Sequence, residues 1–358
     1  AIAINRQCSS GLEAINIAAQ LIRTGEVDVA IAGGIENMSQ SPYMLGPSAR
    51  FDGFRMGDST VIDSLVEGLG CPVNRYHMGV TAENVAARFE VSRKDQDELA
   101  LISHQRAVTA LSEGKFDSQI APVTVPQRKG DDVIVSADEG PRPDSSLDRL
   151  ASLRPIFKKD GTVTAGNASS INDGAAAVVL MSSKKATELG AIPRLRWKAR
   201  GVSGVEPAIM GIGPVPAVEK VLDKAGMEID DLDLIELNEA FASQALYCIR
   251  ELGLDLDATL GQRGAMLLES VFKCVCQRHQ LAVVEFGVGV SVLVSHRKPH
   301  TACTLSRISG SNDTDSQSPH STFPYEVYYI AVRTGRSTAC HSDWAHRHRN
   351  DNFVCPAL

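Results

Sequence analysis

A nucleophile is best sought where a short β-like run meets a long helix-like run around a cysteine. Asn5-Arg6-Gln7-Cys8-Ser9-Ser10-Gly11 follows Ala1-Ile2-Ala3-Ile4, which reads as a buried strand. It precedes Leu12 to Thr24, in which Leu12, Ile15, Ala18, Ala19 and Ile22 recur at the three-and-four spacing of one apolar helix face. Cys8 then falls at the helix start, where unpaired N–H groups and the positive end of the helix dipole favour a thiolate over a thiol. Ser9, Ser10 and Gly11 keep the turn small, so a bulky substrate can approach. The plainer account is that a lone cysteine among apolar residues is a small buried hydrophobe.

Four further segments carry side chains able to line or serve such a site. Tyr76-His77-Met78-Gly79 leads into Thr81-Ala82-Glu83-Asn84, and Thr164-Ala165-Gly166-Asn167-Ala168-Ser169 precedes Asn172-Asp173-Gly174-Ala175-Ala176-Ala177. Met210-Gly211-Ile212-Gly213-Pro214 follows, and Asn238-Glu239-Ala240-Phe241-Ala242 stands at a strand-to-helix junction. Singly, each has an ordinary reading. A Gly/Asn/Ser loop is a turn, and Asn-Glu before a helix is an N-cap with a first-turn carboxylate.

The elements that must position these residues alternate as in an α/β protein. Strands are predicted at Val27 to Ala32, Ala175 to Met181 and Leu232 to Leu237, and helices at Asp97 to Leu111, Pro216 to Ala225 and Ala240 to Leu252. From about Leu260 the texture changes. Five of the eight cysteines and seven of the nine histidines lie beyond it, and the net charge there is +3 against −10 for the rest. Within that part only Leu281 to Ser295 reads as strands, and Ser309 to Ser321 reads as a disordered linker.

A chain of 358 residues suits two domains or one large α/β unit, and 43% hydrophobic residues support a globular fold. The net charge of −7 argues against a general nucleic-acid binder and for a small-molecule partner. No apolar run approaches the ~20 residues that span a bilayer, and no signal segment opens the chain. It begins inside an apparent strand without a methionine, which suggests that amino-terminal residues are missing. Scattered cysteines fit a reducing compartment. The expected location is cytoplasmic, with mitochondrial or peroxisomal as the eukaryotic alternative.

Together, in this order and spacing, the motifs resemble the thiolase family from Ala1 to about Thr259, and Glu36-Asn37-Met38-Ser39 and Phe157-Lys158-Lys159-Asp160-Gly161 also fit. Asn-Arg-Gln-Cys-Ser-Ser-Gly looks more like the 3-ketoacyl-CoA thiolases of fatty-acid degradation than the acetoacetyl-CoA-forming branch. The resemblance implies an α/β fold layered αβαβα, here incomplete at both ends. Residues 1–37 and 172–190 would form part of the first half, 38–171 an inserted loop domain holding coenzyme A, and 191–259 part of the second half. Residues 260–358 would be an aberrant, poorly ordered tail.

By the same resemblance Cys8 is the nucleophile that takes the acyl group from a 3-ketoacyl-CoA, and Asn238 holds a water in the oxyanion hole. Leu65, His77, Met78, Arg142, Phe157, Ala165, Ser169, Ala240 and Phe241 would line the coenzyme A path. Arg142 would meet a nucleotide phosphate, and His77 would be a wall rather than a proton shuttle. Coenzyme A enters as substrate; no permanently bound cofactor, metal, nucleic acid or membrane span is expected, and the intact family fold would be a homodimer or homotetramer.

The sequence also departs from the family pattern. No histidine is flanked as Gly-His-Pro and no cysteine beyond residue 259 is followed by x-Gly, the two motifs that would supply the remaining proton-transfer groups. Cys274-x-Cys276-x2-His279 gives half a zinc site with no fourth ligand at usable spacing. The expectation for the chain as written is acyl-CoA binding without steady-state turnover.

Overall fold

A computed structural model describes residues 1–256, apart from 55, 118, 119, 194, 233, 234 and 255, together with strands at 282–284 and 327–333. Helix α1 (Ser10–Arg23) buries Leu12, Ile15, Ala18, Ala19 and Ile22, the stripe its spacing predicts. Strand β1 (Val29–Asn37) follows, and then a series of smaller elements. Strand β2 (Tyr43–Leu45) pairs antiparallel with β3 (Val61–Asp63) around the short helix α2 (Ser48–Phe51). Three helices come next: α3 (Ser64–Gly68), α4 (Met78–Arg88) and α5 (Arg93–Ser112). Strand β4 (Val123–Val125) pairs with β5 (Val133–Val135) before helix α6 (Leu147–Ser152).

The chain returns through β6 (Asp173–Ser182), α7 (Ser183–Glu188) and β7 (Leu195–Trp197). Helix α8 (Pro214–Ala225), β8 (Ile235–Leu237) and α9 (Ala242–Glu251) complete the continuous part. Strand β9 (Ala282–Val284) runs parallel to β8, and β10 (Val327–Arg333) lies between β6 and β7 in an antiparallel sheet of order β1-β6-β10-β7. Strand β1 pairs with β6 along its whole length, from Val29 opposite Met181 to Asn37 opposite Asp173, so one ladder closes over residues 38–172.

Two apolar cores result among the described residues. One packs α1 against β1 and β6 through Leu12, Ile15, Ala19, Ile22, Ala32, Val178 and Leu180, with Trp197 beneath. The other joins Leu99 of α5 to Val218 and Val221 of α8, Ile235 and Leu237 of β8, and Ala245 and Ile249 of α9. Helix α8 starts on Pro214 and stops at Gly226, whose φ of 62° is the left-handed conformation that glycine adopts without steric cost. No helix among the described residues is long and apolar enough to cross a membrane.

Several boundaries differ from those predicted, each for a local reason. Ala1 to Ile4 forms no strand: these residues join no ladder, and Ile2 is 69% exposed. Strand β1 starts two residues late because the Glu26 and Val27 amides close the end of α1 on the Leu21 carbonyl. It also runs past Ala32 through Gly33 and Gly34, where a Cβ on Gly33 would lie 2.5 Å from the Ala176 oxygen, so the glycines permit the close pairing. Helix α5 gains a turn from a capping box between Ser92 and Asp95. Helix α9 begins at Ala242 because Ala240 and Phe241 are held extended against residues 168 and 169. Strand β8 is described at Ile235–Leu237; of its predicted start, 233 and 234 lie outside the described residues. The strand reading of Leu281 to Ser295 is described only at 282–284; the rest of it, the linker at 309–321, the poor order expected of the tail and the half zinc site lie outside the described residues.

Leu180, fully buried near the end of β6, reports on the first core. Leu180→Ala is expected to lower the unfolding free energy by about 2–5 kcal/mol. Urea titration followed by far-ultraviolet circular dichroism measures this, and a loss well under 1 kcal/mol would show that the ladder is not packed as described.

Candidate active site

Cys8 stands just outside α1, next to its N-cap Ser9, and is exposed. The turn that presents it is tightly built. The Ser9 amide donates to the Arg6 carbonyl (3.2 Å) and the Ser10 amide to the Gln7 carbonyl (3.0 Å). The Ser10 hydroxyl accepts from the Arg6 amide (2.8 Å) and donates to the Gln7 carbonyl (2.6 Å), while Asn5 Oδ1 accepts from the Gln7 amide (3.0 Å). Gln7 itself has φ +52°, which costs a residue with a Cβ about 1–2 kcal/mol and persists only where its surroundings impose it. Gly11 is buried where α1 meets β1: a Cβ on Gly34 would lie 3.6 Å from its Cα.

The three cysteines of the continuous part separate physically. Cys8, Cys71 and Cys248 lie outside any disulfide, but only Cys8 is exposed. Burial pushes the Cys248 thiol up to about 12, and its sulfur points to the Gly211 carbonyl at 3.6 Å. A thiol in that state is not a nucleophile at neutral pH.

A second group of residues assembles around the junction of β8 and α9. The Ser169 amide donates to the Ala240 carbonyl and the Ala242 amide to the Asn167 carbonyl, both at 2.9 Å, with Ala168 bridged to Phe241. The Gln244 side chain closes the same turn: its Nε2 donates to the Asn238 carbonyl (3.2 Å) and its Oε1 accepts from the Phe241 amide (3.3 Å). The loop bearing Ala165 and Ser169 is fixed from below by buried carboxylates. Glu83 on α4 accepts from the amides of Thr162 and Val163 and from the Thr162 hydroxyl. Asp97 on α5 accepts from Asn167 Nδ2 at 3.0 Å and pairs with Arg93 at 2.7 Å.

The wall is aromatic. His77 stacks on Phe157 at 4.7 Å between ring centres, and Phe157 meets Phe241 edge-on at 6.1 Å. A Cβ on Gly79 would lie 2.2 Å from the Phe157 ring, so glycine makes room for that stack. The Met78 amide bonds the Leu69 carbonyl, bringing the end of α3, which carries Leu65, beside His77. His77 Nδ1 accepts from the Gly79 amide at 3.0 Å, which puts the ring proton on Nε2. That buried Nε2–H has no hydrogen-bond partner among the described residues. Burial also holds the His77 pKa below its ordinary 6.5.

These contacts join His77, Phe157, Ser169, Ala240 and Phe241, with Met78 next in chain. Cys8 belongs to the turn before α1. Arg142 is exposed in the loop over α5, where its amide meets His104 Nδ1 at 3.4 Å. Burial, aided by the Arg142 charge, lowers the His104 pKa. The sequence reading assigns no role to Glu83, Asp97, Asn167 or Gln244. The available signal is a charged side chain among small and apolar helix residues, as Glu83 is beside Ala82, Val85 and Ala86.

Residues 1–184 match the family model for the thiolase N-terminal domain, and 192–285 that for the thiolase C-terminal domain, which runs beyond residue 259. A Chromobacterium violaceum protein named acetyl-CoA acetyltransferase is 54% identical over 269 residues, covering 75% of this chain and 68% of the relative. A Staphylococcus aureus protein named probable acetyl-CoA acyltransferase is 52% identical with the same coverage. Among solved structures, human mitochondrial 3-ketoacyl-CoA thiolase aligns with a TM-score of 0.74 at 36% identity, covering 82% of this chain and 78% of that one. The Bacillus anthracis acetyl-CoA acetyltransferase gives 0.72 at 40% identity, covering 81% and 77%.

The histidines yield a pH expectation. Both pKa values are depressed in the folded chain, so the unfolded chain binds more protons as pH falls through the ordinary 6.5. Their neutral forms support the fold fully above that pH, and the support declines below it until the folded values are passed. Nitrogen-detected NMR should show the His77 ring more than half neutral at pH 6.5, with the neutral form protonated on Nε2, and titration of both rings at or above 6.5 would contradict the described burial.

Proposed function

The chain belongs to the thiolase family, an α/β fold of acyl-CoA acyltransferases, and from that premise we propose that Cys8 is the acyl acceptor and that acetyl-CoA and acetoacetyl-CoA are its natural substrates. The observation that carries this reading is the exposed Cys8 on its strained turn at the opening of α1. In the reaction, the Cys8 thiolate attacks the thioester carbonyl carbon, a carbon–sulfur bond forms at Cys8, and the coenzyme A thiolate leaves with its electron pair and takes a proton. Asn238, in the turn clamped by Gln244, would hold the water facing the developing oxyanion; such a donor is worth about 3 kcal/mol of barrier.

Coenzyme A is read as running along the wall of Leu65, His77, Met78, Phe157, Ala165, Ser169, Ala240 and Phe241. The Nε2–H of His77 suits an acceptor oxygen on the pantetheine chain, because a buried donor gains most from being paired. The exposed Arg142 suits a phosphate. The acetyl preference rests on the name of the relative at 54% identity, and it stands beside the degradative preference drawn from Asn5 to Gly11. The likeness to 3-ketoacyl-CoA thiolase keeps longer acyl chains in the same series of tests.

A second reading, uptake of the acyl group without a completed cycle, is favoured by one observation: the sequence contains neither a Gly-His-Pro nor, beyond residue 259, a Cys-x-Gly. Loss of a general acid or base removes about 10²- to 10⁴-fold in rate. With acetyl-CoA the expected outcome is therefore a burst of coenzyme A matched by one acetyl group on Cys8, with no steady-state thiolysis of acetoacetyl-CoA. Peptide mass spectrometry and a thiol assay read the two together. Acetylation that persists in Cys8→Ala would sink the nucleophile assignment; sustained thiolysis that Cys8→Ala abolishes would keep it and reject the incomplete cycle.

A further inference from the structure

We propose that the ion cluster of Arg6, Glu13 and Arg200 is the positioning element of the turn that presents Cys8. The proposal rests on the reading of Cys8 as nucleophile and extends it to residues that do not touch substrate.

Glu13, on α1, is 10% exposed at its side chain, and its Oε1 receives Arg6 Nη1 at 3.1 Å and Arg200 Nη1 at 2.9 Å. Burying the Glu13 carboxylate between two half-buried guanidinium groups is a poor way to gain stability, since apolar side chains of similar volume usually do as well or better. What the cluster supplies is geometry. Arg6 is tied to α1 three times: by its side chain to Glu13, by its amide to the Ser10 hydroxyl, and by its carbonyl to the Ser9 amide. Only Gln7 and Cys8 lie between Arg6 and Ser9. With both ends pinned, the two-residue arch closes with Gln7 at φ +52° and Cys8 turned outward. Release one end, and Gln7 can return to negative φ and carry Cys8 out of register.

Arg200 adds the link to the rest of the molecule. It follows β7, whose Trp197 donates from Nε1 to Asn16 Oδ1 at 2.9 Å. Glu13 and Asn16 lie on one face of α1, so the segment from Trp197 to Arg200 is docked along the helix by two polar contacts. The arch is thereby referenced to the sheet as well as to its own helix.

The test uses the full chain as wild type, Glu13→Ala, Glu13→Gln and Arg200→Ala, with three readouts: acetylation of Cys8 by acetyl-CoA, amide exchange of the peptide covering residues 5–10, and iodoacetamide labelling of all cysteines. Cys71 and Cys248 are buried, so their labelling reports unfolding while Cys8 reports the turn. Glu13→Ala is expected to speed exchange at residues 5–10 and to slow Cys8 acetylation about 10- to 100-fold, the cost typical of a small misplacement, with Cys71 and Cys248 still protected. Glu13→Gln, which keeps an oxygen for one guanidinium, should recover part of the rate. Should Glu13→Ala expose Cys248, Glu13→Gln, which weakens both ion pairs at nearly constant side-chain volume, carries the same comparison, while Arg200→Ala, which leaves the Arg6–Glu13 pair, isolates the link to the sheet. Unchanged exchange and unchanged acetylation in a folded variant would overturn the proposal. Faster exchange in the variants beside a wild type that is never acetylated would instead uphold the positioning role and reject the nucleophile reading.

Discussion

Asn167 is the residue through which the described part of the candidate site is assembled. Its side chain makes three hydrogen bonds: Oδ1 accepts from the Thr164 amide, and Nδ2 donates to Asp97 and to the Thr162 carbonyl. Its backbone carbonyl then accepts from the Ala242 amide at the first turn of α9. One buried amide therefore folds its own loop, anchors that loop to α5 and receives the helix that follows Asn238. An apolar residue of similar shape would leave several of these partners buried and unpaired, which costs more than the net worth of the bonds themselves. This asymmetry explains why a polar residue holds a fully buried position between apolar helices.

The same logic extends outward. Glu83 satisfies the amides of Thr162 and Val163, Ser243 donates to the Ala82 carbonyl, and Gln244 closes the turn around Asn238. The aromatic wall of His77, Phe157 and Phe241 rests on this frame, for His77 caps α4, the helix that carries Glu83, and Phe241 precedes α9. The wall and the loop thus rest on the same two helices. A buried hydrogen-bond network of this kind favours one arrangement of its parts, because each bond is directional and each missing bond is penalised.

Sequence periodicity found the long helices because each has a buried stripe that its spacing reveals: α1, α5, α8 and α9 differ from expectation only at their ends. Strand β1 was harder to delimit, since Gly33 and Gly34 look like a turn until their close approach to Ala176 and Gly11 is known. The sequence reading has no strand at 327–333, although Val-Tyr-Tyr-Ile-Ala-Val is rich in the residues that suit strands and pairs there with both β6 and β7. At the site, the motifs named the loops but not what holds them. The Glu83 and Asp97 partners lie roughly seventy to eighty residues away in sequence, beyond the reach of any local pattern.

The two cores divide the proposed chemistry between them. Cys8 opens α1, which belongs to the core with β1 and β6, whereas Asn238 follows β8, which belongs to the core with α8 and α9. Apolar packing is non-directional and tolerates small shifts of one core against the other, so it cannot by itself set a nucleophile against an oxyanion site. The chain passes from one core to the other between Trp197 and Ala199, and the next residue, Arg200, reaches back to Glu13 beneath the Cys8 turn. Polar ties of fixed length thus span the junction that burial leaves underdetermined. In this molecule the hydrophobic cores build the elements, and a few charges and amides tie the loops and turns between those elements to the helices beside them.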